Sequence, residues 1–173
     1  MTNTEPRWLN VQERAAWLSL LSVMTLLPGA LEGALQREAK LSLFEYNILA
    51  MLSEAQTEAQ MLPMSELAAR TSASLSRLSH VVKKLQARGL VERSVHAEDA
   101  RVTEASITES GMELIRALAP LHVESVRASV FDQLSTKDAA DLARIGRKLV
   151  QGLDESHWTL RPVQPAPNCR ADP

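Results

Sequence analysis

The chain has 173 residues, 45% of them hydrophobic, a formal net charge of −2 and one cysteine. A mildly acidic balance argues against general affinity for nucleic acid, and the apolar content suffices for one compact domain with an adequate core. The opening stretch MTNTEPR lacks the charged and apolar regions of a leader. No apolar run is read as approaching the ~20 residues that cross a bilayer, so a cytoplasmic protein without membrane association is expected.

Asn10-Val11-Gln12-Glu13 has the form of a capping box. After it Trp17, Leu20, Leu21, Met24, Leu27, Leu31 and Leu35 recur at helical spacing, predicting a long amphipathic helix bent at Pro28-Gly29. Ser42-Leu43-Phe44-Glu45 caps a second helix running to about Ala55, and Met61 to Pro63 adds a short strand. In MSELAART, Leu67 and Ala68 turn toward the core, and Thr71 and Ser72 end the helix with side-chain oxygens.

Ser74 stands at an N-cap position, and Leu75, Leu78, Val81, Val82 and Leu85 then share one helical face. The other face carries Ser76, Arg77, Ser79, His80, Lys83 and Lys84, groups able to bond base edges and phosphates. Gly89 closes the helix, and two short strands, Leu90 to Val95 and Val102 to Ile107, enclose a charged turn from His96 to Arg101. The order is that of a helix-turn-helix with a wing. Charge is concentrated there: residues 70–101 hold seven Lys or Arg against three Asp or Glu, a local +4, while the segments on either side are acidic. Such a patch, more than net charge, steers a protein to a phosphate backbone.

Thr108 opens a fifth helix reaching about Gln133, bent at Pro120, and Ser135-Thr136-Lys137-Asp138 caps a sixth with Leu142, Ile145, Leu149 and Leu153 on one stripe. The flanking helices carry more apolar surface than a winged helix can cover. A two-fold dimer would bury the excess, with Trp17, Leu21, Phe131, Leu142, Ile145 and Leu149 as candidate interface residues and Trp8 beside them. The expected fold is mainly α, a winged helix-turn-helix with a small β wing plus N- and C-terminal dimerisation helices. Its parts are a dimerisation region over 1–40, a DNA-binding lobe over 41–107, dimerisation helices over 108–157 and a Pro-rich mobile tail over 158–173. Cys169 lies in that tail and is read as inert.

Leu41 to Leu134 resembles the MarR family of bacterial winged-helix transcriptional regulators, through Gly89-Leu90-Val91-Glu92-Arg93, Asp99-Ala100-Arg101 and Ile107-Thr108-Glu109-Ser110-Gly111. The resemblance implies a homodimer on a pseudo-palindromic double-stranded operator, with Arg101 as the wing-tip arginine in the minor groove and Asp99 as its brace. Occupancy of a promoter would block polymerase, so repression is expected, and the resemblance implies release by a small aromatic or amphipathic ligand; a constitutive DNA binder and a protein-interaction module are the alternatives. Where the commonest family pattern has threonine and arginine, this chain has Ser79 and His80. Arg77, in the first turn of the recognition helix, is a candidate for either a guanine or a phosphate contact. No enzyme is expected, and no cofactor or metal. His80, His96, His122 and His157 are scattered, and neither a Walker loop nor a dinucleotide fingerprint is present. His122 is a candidate ligand contact in a crevice between the dimerisation helices and the lobe, although a satisfied interface histidine is the simpler reading.

Overall fold

The computed structural model describes residues 6–57 and 61–161. Six helices and a three-stranded sheet follow in the order α1 (Val11–Ala39), α2 (Leu43–Thr57), β1 (Leu62–Pro63), α3 (Met64–Arg70), α4 (Leu75–Ala87), β2 (Val91–Val95), β3 (Thr103–Ile107), α5 (Glu109–Ser129) and α6 (Thr136–Leu153). The sheet is antiparallel in the order β1-β3-β2, with Val91 opposite Ile107 and Leu62 opposite Ala105.

Local chemistry sets most boundaries. Asn10 and Glu13 exchange two 2.9 Å bonds as a reciprocal cap of α1. Ser42 and Glu45 do the same for α2, and Ser135 and Asp138 for α6. α1 and α5 each continue through an internal proline, Pro28 and Pro120. α5 is shorter than expected: Val130 leaves helical geometry (φ −127°), and Phe131–Gln133 forms a separate 3-10 turn.

The core lies where α2, α3, α4, the sheet and the start of α5 meet, around Ile48, Leu49, Leu52, Leu67, Leu78, Val82, Leu85, Val91 and Ile107. Two glycines make the junction of α4, β2 and α5 possible. Gly89 takes φ +71°, a left-handed conformation that closes α4. At Gly111 a Cβ would collide with the Leu90 carbonyl oxygen. Thr108 stitches the same point: its hydroxyl donates to Gly89 O (2.7 Å) and accepts from Gly111 N (3.1 Å).

Three expectations are corrected. Leu75 is 53% exposed instead of sharing the core face of α4, because it falls at the groove beside the wing. α1, expected to hold no membrane-length apolar run, is long and apolar enough by length and composition to cross a bilayer. No charged residue stands between Arg14 and Glu32. Its polar interruptions are muted, since Ser19, Ser22 and Thr25 each return their hydroxyl to the carbonyl four residues earlier. Finally, the start of the proposed tail is docked: Trp158–Leu160 forms a 3-10 turn. The Trp158 indole donates to Arg70 O (3.0 Å), and Arg147 donates to Leu160 O (2.9 Å). Cys169 lies outside the described residues.

Candidate nucleic-acid interface

α3 ends where Thr71 returns its hydroxyl to Leu67 O (2.7 Å), and Ser72 turns the chain through a left-handed φ of 50°. Ser74 then caps α4, its Oγ accepting from Arg77 N (3.3 Å). That acceptor role leaves the Ser74 hydroxyl hydrogen to donate outward. Beyond the cap, α4 shows two opposed faces. Leu78, Val82 and Leu85 are buried, and Ser76, His80 and Lys83 are exposed together on the opposite side.

Ser79 stands at the border of that outer face, in a groove of about 250 Å³ between α4 and the wing, lined also by Met64, Ser65, Leu75, Arg93, Arg101, Val102 and Thr103. Two arginines, three hydroxyl-bearing residues and apolar neighbours line a recess whose chemistry suits a phosphate and the sugar beside it. Ser65, Arg93 and Thr103 were not singled out from sequence. Arg93 lies within the Gly89-to-Arg93 motif and was available as a signal. Its Nε donates to Gln86 Oε1 (3.0 Å), which fixes the base of the side chain on α4.

The wing is braced from within. Asp99 Oδ1 accepts from Arg101 N (3.0 Å) and Arg101 Nε (3.2 Å), and the Arg101 side chain is 92% exposed. The Arg101 backbone N–H, then its guanidinium, holds the Asp99 carboxyl below the ordinary carboxylate value. Asp99 therefore stays charged and aims Arg101 outward. His96 closes the turn from the strand side, its N–H bonded to Val102 O and its Nδ1 accepting from Glu98 N.

Two cations assigned to the outer face point elsewhere. The Arg77 guanidinium lies 4.3 Å over the Phe44 ring, and Lys84 Nζ is 2.8 Å from Oε1 of buried Glu45. Burial alone would push the Glu45 carboxyl up. Lys84 and the N–H and hydroxyl of Ser42 outweigh it, and the group sits below its ordinary value.

His122 packs on Tyr46 with ring centroids 4.4 Å apart, bridging α5 and α2. Its Nδ1 is buried without a hydrogen-bond partner among the described residues, and burial pushes its pKa down. No group of three or more His, Cys, Asp or Glu side chains among the described residues is arranged to hold a metal ion. The six residues assigned to a dimer interface, Trp17, Leu21, Phe131, Leu142, Ile145 and Leu149, are all between 41% and 50% exposed.

Residues 40–102 match the MarR family. Over 89% of its length the chain is similar to Sco3205, a MarR family transcriptional regulator from Streptomyces coelicolor solved in complex with DNA. The two are 38% identical with a TM-score of 0.82, and 95% of Sco3205 is covered. AbsC, a MarR family regulator from the same organism, is 36% identical with a TM-score of 0.80, over 87% of this chain and all (100%) of AbsC. The transcriptional repressor MprA of Escherichia coli is 27% identical over 107 residues, 62% of this chain, and the match spans 60% of MprA.

Proposed function

Because the chain belongs to the MarR family of winged-helix transcriptional regulators, we propose that it is a sequence-specific DNA-binding repressor that grips a pseudo-palindromic operator as a homodimer. The observation that carries this reading is the groove in which Arg93 and Arg101 converge with Ser65, Ser79 and Thr103 between α4 and the wing. In the proposed complex Ser76, His80 and Lys83 face the major groove, and Ser74 and Ser79 bond the backbone. Arg101, braced by Asp99, enters the minor groove, where a guanidinium suits the narrow, electronegative channel. The solved DNA complex of Sco3205 and the repressor activity named for MprA support DNA binding and its sign.

Dimerisation through regions 1–40 and 108–157, flanking the reading lobe of 41–107, is part of the proposal. Its support is the shared exposure of α1 and the apolar stripe of α6, Leu142, Ile145 and Leu149. The apolarity of α1 also fits a bilayer by composition, but a second subunit is favoured. The end of α1 is bound within the fold, with Leu35 fully buried and Glu32 Oε2 accepting from Leu43 N (2.8 Å). A symmetric pair would set two recognition helices about 34 Å apart, one turn of DNA. A cytoplasmic location accompanies this reading.

Release by a small aromatic or amphipathic acid is the finer part of the proposal, and it draws on the unpaired His122 Nδ1 beside Tyr46. Such a ligand acts only through its preference for a dimer that cannot span both half-sites.

The test is selection of bound genomic fragments by the purified protein, followed by titration of the best fragment at several salt concentrations. A palindromic motif is expected, with a slope of log affinity against log salt of about −0.9 for each phosphate neutralised. Selection without any enriched motif, or binding indifferent to salt, would overturn the reading.

A further inference from the structure

The cations of α4 divide into two groups that sequence alone presents as one. At about 100° per residue, Arg77 and Lys84 lie within about 20° of each other, and Arg88 at the C-cap continues their stripe. All three reach the junction of α1 and α2. The Arg77 guanidinium stacks on Phe44 at 4.3 Å. Lys84 Nζ meets Glu45 Oε1 at 2.8 Å, while Glu45 Oε2 accepts from Ser42 N (2.8 Å) and Ser42 Oγ (3.0 Å). Arg88 donates to Ala39 O (3.0 Å) and Lys40 O (3.5 Å), the last carbonyls of α1.

Each contact has its own physical logic. A guanidinium is attracted by the face of an aromatic ring. The Glu45 carboxylate, 3% exposed, needs a compensating cation. A helix C-terminus presents unpaired carbonyls and partial negative charge, which Arg88 satisfies. Their common result is a seam running the length of the recognition helix, anchored on the end of the helix that carries the proposed dimer surface.

We propose that Arg77, Lys84 and Arg88 are positioning residues which dock the recognition helix on the α1–α2 junction, and that base and phosphate contacts fall to the other cations and hydroxyls of the lobe. The inference rests on the DNA-binding reading above. It assigns Phe44 and Glu45, remote from the outer face of α4, to the fidelity of that reading. A loosened seam lets the recognition helix rock, so contacts that demand exact placement suffer while diffuse attraction to phosphate does not.

The test compares wild type, Lys84→Met, Glu45→Gln, the double variant and Phe44→Leu, each titrated with the best genomic fragment and a scrambled one across several salt concentrations. Lys84→Met is expected to lower the ratio of specific to scrambled affinity several-fold, with scrambled binding and the salt slope unchanged. Adding Glu45→Gln removes the stranded carboxylate and is expected to restore the ratio to within about twofold, since replacing both partners removes the uncompensated charge. Phe44→Leu alters no charge and is expected to lower the ratio at constant salt slope. A double variant that stays weak on both fragments, with the slope shallower by about 0.9, would make Lys84 a phosphate contact and overturn the proposal. So would a ratio unmoved by both Lys84→Met and Phe44→Leu. Lys84→Arg, which keeps the ion pair, covers a Lys84→Met protein that fails to fold; it is expected to match wild type. Wild-type protein that retards no fragment would instead sink the DNA-binding reading. Thermal melting still tests the docking seam in that case, with Lys84→Met below wild type and the double variant recovering.

Discussion

The winged lobe and the long terminal helices are built to different degrees of completion. In the lobe nearly every large apolar side chain of α2, α3, β2 and β3 finds a place in one core. Over the 29 residues of α1 only Ala34 and Leu35 are buried, and α6 has no buried residue at all. The contrast separates a unit that folds against itself from helices left largely exposed, which the proposed dimer would cover. It also shows how two such different segments come from similar apolar content: the lobe interleaves short elements around one core, whereas α1 and α6 expose a long stripe that no other described residue buries.

The sharpest way to break this comparison is Leu149→Asp on the α6 stripe. Burial of a leucine contributes about 1.5–3 kcal/mol, once per subunit. The substitution is therefore expected to give monomers in sedimentation velocity and to abolish operator retardation, with the lobe still folded. Dimers that persist would place the interface elsewhere. Inside the lobe, Gly111→Ala forces a Cβ against the Leu90 carbonyl and is expected to cost about 1–3 kcal/mol in chemical denaturation, with self-association retained. Equal loss of both properties would mean that the two regions do not fold as separable units. Gly89→Ala, which strains a left-handed φ without any clash, is expected to cost about 1 kcal/mol by the same measurement.

The smallest effect lies on the border between the regions. Burial holds His122 below its ordinary 6.5, so as pH falls below that value the unfolded chain takes up this proton before the folded chain does. Stability contributed by the neutral imidazole is therefore complete above 6.5 and declines below it, toward the lowered folded value. His122→Phe should flatten that portion of a stability-against-pH curve. An unchanged slope would show that His122 does not report on the α2–α5 contact.

What could be read from the sequence was what depends on near neighbours. Ser74, Gly89, the Thr108 cap on Gly111 N and the Asp99–Arg101 pair act within three residues of themselves or on the adjoining backbone, so those roles follow from spacing; the Thr108 bond to Gly89 O, nineteen residues back, does not. The fate of Arg77, Lys84 and Arg88 does not: a cation on a helix looks the same whether it faces solvent or a carboxylate some forty residues earlier in the chain. The apolar length of α1, by contrast, stands in the sequence as a stretch without charge from Arg14 to Glu32; Ser19, Ser22 and Thr25 interrupt it only until their hydroxyls are seen returned to the backbone. Phe131 ends outside the α5 helix without such a sign, since the break at Val130 leaves no proline or glycine to mark it.

Trp158 sets a clock on the maturation of the reading head. Its indole caps the last carbonyl of α3 from 88 positions further along the chain, and ribosomes add about 5–20 residues per second. During synthesis the Arg70 carbonyl therefore waits roughly 4 to 18 s for its partner to be made. Over that interval α4, the wing and α5, which complete the core, are themselves being made, and the Trp158 bond can form only once the C-terminal turn exists.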